Sequence, residues 1–241
     1  MIDVEDYVKR QIAVFQANEL LEDRERRPGR GRDGNLSYGP YLLISREKGA
    51  GGNTVARLVG RRLGWQVFNN EIVDEIAQKA HVRRQLIESL DERDQATIQD
   101  TIGQLLNPQE IGTSGYLGYL KQIVLTLGHQ GDVVIVGRGA QFILPGQFGL
   151  CVRMVAPIEV RIRRIADKAR LSLEAARVEV ERIDRERVKL VRRHFGHDVT
   201  DPLSHDLIIN TAAMNVEAVA EVVITALQRK LGVQIKASGQ R

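Results

Sequence analysis

The sequence predicts an α/β fold, a parallel sheet of about five strands covered by helices, and three observations carry that prediction. Short apolar runs that read as buried strands recur at 41–44 (YLLI), 65–70 (WQVFNN), 132–136 (DVVIV), 150–155 (LCVRMV) and 206–210 (DLIIN). Helical segments alternate with them, and uninterrupted apolar strands in that arrangement belong to parallel sheets covered on both faces. The first three strands also end in glycine or polar residues, and ligands of open parallel sheets bind at the carboxyl ends of the strands.

The chain has 241 residues, room for one α/β domain and an appendage. With 43% hydrophobic and 27% charged residues, its composition excludes a disordered or collagenous chain. The single cysteine, Cys151, has no partner for an internal disulfide, and the start MIDVEDYVKR lacks the regions of a signal peptide. No apolar run approaches the roughly 20 residues that span a bilayer. A cytoplasmic protein without membrane contact is expected.

Taken in order, Val4, Tyr7, Val8, Ile12 and Phe15 stand at helical spacing, which makes 1–25 an amphipathic helical appendage. Its apolar stripe is expected to pack on the body or on another subunit, so a homo-oligomer through this helix is one outcome. Residues 26–40 read as a linker, because Pro28, three glycines and alternating charge occupy 26–35. The main domain then runs from 41 to 231. Its first strand leads through KGAGG into a helix from about Thr54 to Leu63, the second leads into a helix over 71–80, and 82–129 is helical with little punctuation. Asn215 caps a last amphipathic helix that ends near Leu231, and 232–241 reads as a flexible tail.

Three constellations sit at strand ends. After the first strand come Lys48, Gly49, Ala50, Gly51, Gly52, Asn53 and Thr54, opening directly into a helix. Glycines let successive N–H groups curl around an anion and the helix N-terminus adds partial positive charge, so this turn is a candidate phosphate loop. The Walker lysine is absent, since Gly52 or Asn53 stands in its place depending on register. Lys48 is the only ammonium in the loop, and whether it reaches the phosphates stays open. The second strand delivers Asn69, Asn70 and Glu71, either as helix caps, Asn70 being well suited, or as ligand contacts. After the third, Arg138 stands between Gly137 and Gly139, where a guanidinium could clamp a phosphate.

Segment 182–193 holds six basic and two acidic residues, a balance of +4 that equals the charge of the whole chain. Arg182, Arg185, Lys189, Arg192 and Arg193 recur at helical steps, as a lid over a triphosphate would require. A nucleic-acid reader would interleave aromatic residues, and only Phe195 adjoins the run. His194, His197 and His205 have no cysteine partners, so no metal site is expected there.

Together these residues resemble the cytidylate kinase-like family of P-loop nucleoside monophosphate kinases. The stretches that carry the resemblance are ISREKGAGGNTVARLVGRRLG at 44–64, FNNEIVDEIA at 68–77, VIVGRGAQFIL at 134–144, VRMVAPIEVRIRRI at 152–165, IDRERVKLVRRHFG at 183–196 and DPLSHDLIINT at 201–211. They run collinearly over about 41–230. The resemblance implies a P-loop kinase fold, ATP with Mg²⁺ as phosphoryl donor, and CMP or a similar monophosphate as acceptor. It assigns donor phosphates to the backbone of Gly49, Ala50, Gly51, Gly52, Asn53 and Thr54, and Mg²⁺ to the Thr54 hydroxyl. Lys48 would supply charge, Asn69, Asn70 and Arg138 would hold the acceptor, and Arg182, Asp184 and Arg185 would act from a lid near 182–197. The sequence departs from cytidylate kinases in three places: the missing lysine, Gly137-Arg138-Gly139 for Gly-Arg-Asp, and Asn69-Asn70 on the second strand. Two other readings therefore stay open here, a nucleotide-binding sensor without turnover and a nucleic-acid binder using 182–193.

Overall fold

The computed structural model describes residues 3–21, 38–90, 92–105 and 115–232. In chain order the elements are α1 (Val4–Leu21), β1 (Tyr41–Arg46), α2 (Gly52–Leu63), β2 (Gln66–Phe68), α3 (Asn70–Gln78), α4 (Ala80–Glu88), α5 (Glu92–Leu105) and α6 (Gly115–Gln130). They continue with β3 (Val133–Val136), β4 (Gly149–Val155), α7 (Ile158–Ala169), α8 (Leu173–Phe195), β5 (Leu207–Asn210) and α9 (Val216–Leu231). The residues divide into two compact units, 1–41 with 68–133, and 42–67 with 134–241. Residues 22–25 of the expected appendage, 26–37 of the expected linker and 233–241 of the expected tail fall outside the described residues. Among those described, no helix is long and apolar enough to cross a membrane.

The first unit is helical. Val4 and Val8 of α1 are buried, Tyr7 meets Phe68 edge-on at 5.5 Å, and α1 packs on α3 and α4. The apolar stripe that the sequence offers to another subunit is thus covered at Val4 and Val8 by the chain's own helices. The helix expected over 71–80 is α3, and α4 opens the helical stretch expected from 82; the boundary falls at Lys79, whose ψ near 97° interrupts the turn without a glycine or proline. Asn69, one residue earlier than the cap read from sequence, closes the start of α3 by accepting the Ile72 N–H at 3.0 Å.

The second unit carries the sheet, five parallel strands in the order β2-β3-β1-β4-β5. β1 is buried along its whole length, as its uninterrupted apolar run requires, and the core gathers Ile44, Val55, Val59, Val136, Val152, Met154, Val223 and Leu227. α2 and α9 pack together there, and α9 lies on β4. β5 is an edge strand, paired in register Met154 with Ile209, and only Ile209 of its four residues is buried. α9 begins where the sequence places it, with the Asn215 side chain accepting the Ala218 N–H at 2.8 Å.

The strand order fixes where a ligand belongs. From β1 the chain passes outward to β2, whereas from β3 it passes across β1 to β4. Neighbouring strands whose connections leave in opposite directions open a crevice at their carboxyl ends, here between β1 and β3. The residues at that crevice are the loop after Arg46 and the turn at Gly137–Gly139.

Two measurements test this packing. Val8 is fully buried, so Val8→Ala is expected to lower unfolding free energy in urea by about 2 kcal/mol, and an unchanged midpoint would place α1 off the core. Burial and the nearby Asp206 carboxylate push the Cys151 thiol up to about 12, so it carries almost no thiolate at neutral pH. The folded chain should therefore react with Ellman's reagent far more slowly than the chain in denaturant.

Candidate functional site

At the crevice, the loop after β1 makes two left-handed bends, Gly49 at φ 84° and Gly51 at φ 80°. Glycine is needed at the first: a Cβ on Gly49 would stand 2.7 Å from the Arg161 carbonyl oxygen. α2 begins at Gly52 rather than at Thr54, with Gly51 as its N-cap and no side chain capping that end. Ala50 N–H goes to Glu47 O and Thr54 N–H to Gly51 O. Among the described residues, the amides of Gly49, Gly51, Gly52 and Asn53 donate to no protein group. The crest is held from behind by Thr211, whose hydroxyl donates to Ala50 O at 2.9 Å and whose own carbonyl accepts from Arg164 Nη2 at 2.8 Å. Thr54 is exposed on the first turn of α2.

Beside the loop lies a network of charges centred on Arg161 of α7, which is only 7% exposed. Its Nε donates to Ala156 O at 2.9 Å and lies 3.2 Å from Glu47 Oε2. Its Nη1 donates to Lys48 O at 3.2 Å and to Asp184 Oδ2 at 2.5 Å. The other Asp184 oxygen accepts the Lys48 N–H at 2.7 Å and lies 3.5 Å from Arg187 Nη1, which also donates to Arg46 O at 3.1 Å. Buried Arg153 on β4 donates to Ser45 Oγ at 2.9 Å. Burial pulls the pKa of Arg187 below its ordinary value, and repulsion from Arg138, Arg153 and Arg161 adds to that against the pull of Asp184. Burial likewise lowers that of Arg153. Both guanidiniums remain charged at neutral pH. The charges at the strand ends thus comprise the guanidiniums of Arg46, Arg138, Arg153, Arg161 and Arg187 and the carboxylates of Glu47 and Asp184. These guanidiniums outnumber these two carboxylates, and Asp198 adds its attraction on Arg153.

Across the crevice, Gly137, Arg138 and Gly139 form a turn of three consecutive left-handed residues, with φ of 84°, 58° and 66°. Gly137 N–H reaches back to Ile44 O of β1 at 3.0 Å. Gly139 has room for no side chain, because the Phe195 ring lies 2.3 Å from where its Cβ would be. Arg138 pays the left-handed cost of about 1–2 kcal/mol, which marks the position as constrained by something other than local stability. Phe142 stacks on His197 at 4.5 Å and packs on Phe195, seating the end of α8 on this turn.

The structure sorts the residues named from sequence. The 49–54 loop, Arg138 and Asp184 all stand at the strand ends in the second unit. Lys48 contributes its backbone, whereas its ammonium pairs with Glu179 at 2.8 Å. Arg182 and Arg185 point outward, 55% and 62% exposed, and pair with Glu186 and Glu181 within α8. Asn69 and Asn70 open α3 in the first unit. What the sequence reading passed over is Arg46, Arg153, Arg161 and Arg187. For Arg187 a signal existed: Ala176, Val180 and Val191 are the buried positions of α8, and Asp184 and Arg187 fall on the same stripe, while 182, 185 and 189 fall opposite.

An open parallel sheet with a glycine-rich loop and an arginine-bearing turn at its switch point is an α/β protein of the P-loop kinase fold. Residues 42–213 match the profile of the Cytidylate kinase-like family, and the chain belongs to that family. Among its relatives, the cytidylate kinase of Ignicoccus hospitalis is 29% identical over 185 residues, covering 76% of this chain and 95% of that protein. The cytidylate kinase of Pyrococcus horikoshii is 33% identical over 98 residues, 41% of this chain and 50% of that protein. An uncharacterised protein from Eubacterium ventriosum has a solved structure of the same fold, with a TM-score of 0.62 at 16% identity, covering 78% of this chain and 98% of that one.

The buried network around Arg161 and the exposed face of α8 should separate in stability measurements. Arg161→Ala leaves Glu47 and Asp184 without their shared partner and is expected to cost about 3–5 kcal/mol. Arg185→Ala removes only an exposed pair and should shift unfolding by less than about 0.5 kcal/mol. Equal costs would mean that Arg161 does not organise the network.

Proposed function

We propose that the chain is a nucleotide kinase that transfers the γ-phosphoryl group of ATP to a nucleoside monophosphate, with CMP as the presumed acceptor. Family membership supports the general reading of a phosphotransferase. The observation that carries the finer one is the pairing of four unengaged amides, at the loop and the start of α2, with mutually repelling guanidiniums at the same strand ends. Such a place is destabilised by its own repulsion until a polyanion enters.

In the reaction, an oxygen of the acceptor monophosphate bonds to the γ-phosphorus as its bond to the β–γ bridging oxygen breaks, giving a nucleoside diphosphate and ADP. A phosphate oxygen is already deprotonated, so no general base is required, and the work is positioning and charge neutralisation. The amides of Gly49, Gly51, Gly52 and Asn53 hold donor phosphates, as anions are held at helix N-termini. Arg138 grips the acceptor phosphate from its left-handed turn. Arg187 and Arg153 face the transferring group from α8 and β4, and Asp184, engaged with Arg161, Arg187 and the Lys48 amide, is a positioning residue. Arg182 and Arg185, paired outward, stand outside this arrangement. Among the described residues no group of three His, Cys, Asp or Glu could hold a metal. Mg²⁺ keeps waters and phosphates as most of its ligands, and the exposed Thr54 hydroxyl on the first turn of α2 is the group that would hold it. When bound, Mg²⁺ would neutralise phosphate charge.

The test is a panel of nucleoside monophosphates incubated with Mg-ATP, read as diphosphate formed. CMP should be among the substrates; ATP binding without any product would favour the sensor reading. Arg138→Gly should lower kcat/KM for the acceptor by about a hundredfold or more while leaving the unfolding midpoint nearly unchanged, because glycine relieves the left-handed cost. A parental kcat/KM in that variant would remove Arg138 from the acceptor site.

A further inference from the structure

The loop lacks a lysine where P-loop proteins carry one, and Gly52 holds the first of the two registers in which it would fall. The geometry there gives a reason. A Cβ on Gly52 would stand 2.8 Å from Arg46 Cβ and 2.9 Å from Arg46 Cγ. The space into which a residue at the start of α2 would project is filled by the aliphatic stem of Arg46, the last residue of β1. The far end of the same side chain reaches the turn after β3, where a Cβ on Gly137 would stand 2.2 Å from Arg46 Nη1 and 3.2 Å from Cζ. Arg46 is only 8% exposed, and its carbonyl is fixed by Arg187 Nη1 at 3.1 Å. Glycine at 52 and at 137 therefore accommodates one and the same arginine, which runs from the phosphate loop to the Arg138 turn.

We propose that Arg46 is the cation of this phosphate loop. From the end of β1 it supplies the terminal phosphates of a bound nucleoside triphosphate with the charge that other P-loop proteins supply from the first turn of the helix. This rests on reading 49–54 as the phosphate loop. Lys48, the other candidate in the segment, is engaged by Glu179. A guanidinium is also suited to the place: it is planar, stays charged when buried and can meet two phosphate oxygens at once.

The arrangement makes a reciprocal prediction that few alternatives share. If Arg46 occupies the lysine's space, a lysine at 52 can work only when Arg46 is cut back. The experiment measures Mg-ATP affinity by calorimetry, kcat for the best acceptor and thermal unfolding on the full chain and four variants: Arg46→Gln, Arg46→Ala, Gly52→Lys and the double variant Arg46→Ala with Gly52→Lys. Arg46→Gln should lower kcat by about a hundredfold or more, with a smaller loss of Mg-ATP affinity. Gly52→Lys alone should be destabilised by collision with the Arg46 stem. The double variant should recover at least about tenfold in kcat over Arg46→Ala, a coupling between touching residues rather than additive damage. Parental kcat and affinity in Arg46→Gln would overturn the proposal, as would a double variant no better than the two single losses combined. Should Arg46→Gln fail to fold, Arg46→Lys decides: it keeps the charge and should retain about a tenth or more of kcat, and a hundredfold loss in a folded protein overturns the proposal. A parental chain that binds no Mg-ATP overturns the phosphate-loop reading and this one together, whereas an active parent indifferent to Arg46 overturns this one alone.

Discussion

One buried guanidinium joins segments that are far apart in the chain. Arg161 ties the loop after β1 through Glu47 and the Lys48 carbonyl, the end of β4 through the Ala156 carbonyl, and α8 through Asp184. Each of these groups would be costly to bury alone, and together they satisfy one another. The net contribution of such a network to stability is small once desolvation is counted, so its value lies in geometry. The two left-handed glycines, the open amides of the loop and the inward face of α8 take their positions relative to this one side chain.

Around that centre several guanidiniums stand close enough to repel one another. Arg187 and Arg153 are both held below their ordinary pKa by burial, and Arg138, Arg153 and Arg161 all repel Arg187. A protein selected for stability alone would not gather guanidiniums in this way or place an arginine in a left-handed turn between two glycines. The left-handed Arg138 and the crowded guanidiniums stand together at the switch point of the sheet, and the second unit otherwise gathers an apolar core.

Much of this was legible in the sequence because its causes are local. Apolar runs marked all five strands, the glycines marked the loop, and Asn215 marked the start of α9. The parts that were not legible depend on contacts made across the chain. Which arginines of α8 turn inward is set by packing on α7, and a count of basic residues in 182–193 does not separate buried-side Arg187 from Arg182 and Arg185 on the exposed side. Arg153 and Arg161 sit among apolar neighbours in β4 and α7, and only their carboxylate and carbonyl partners reveal them. Lys48 looked like the loop's cation because it is adjacent in sequence; Glu179, over a hundred positions away, holds it elsewhere.

The 23 residues of α8 contain neither glycine nor proline, so the helix has no ready place to bend. At about 1.5 Å per residue it is a strut some 34 Å long, propped at three stations: Ala176 and Val180 on α7, Asp184 and Arg187 on the strand ends, Phe195 on the Gly139 turn. A tilt that lifts one station levers the others. The basic stretch therefore moves with the whole helix, and any shift of it would disturb the contacts at the glycine-rich loop and at the Gly139 turn in a single stroke.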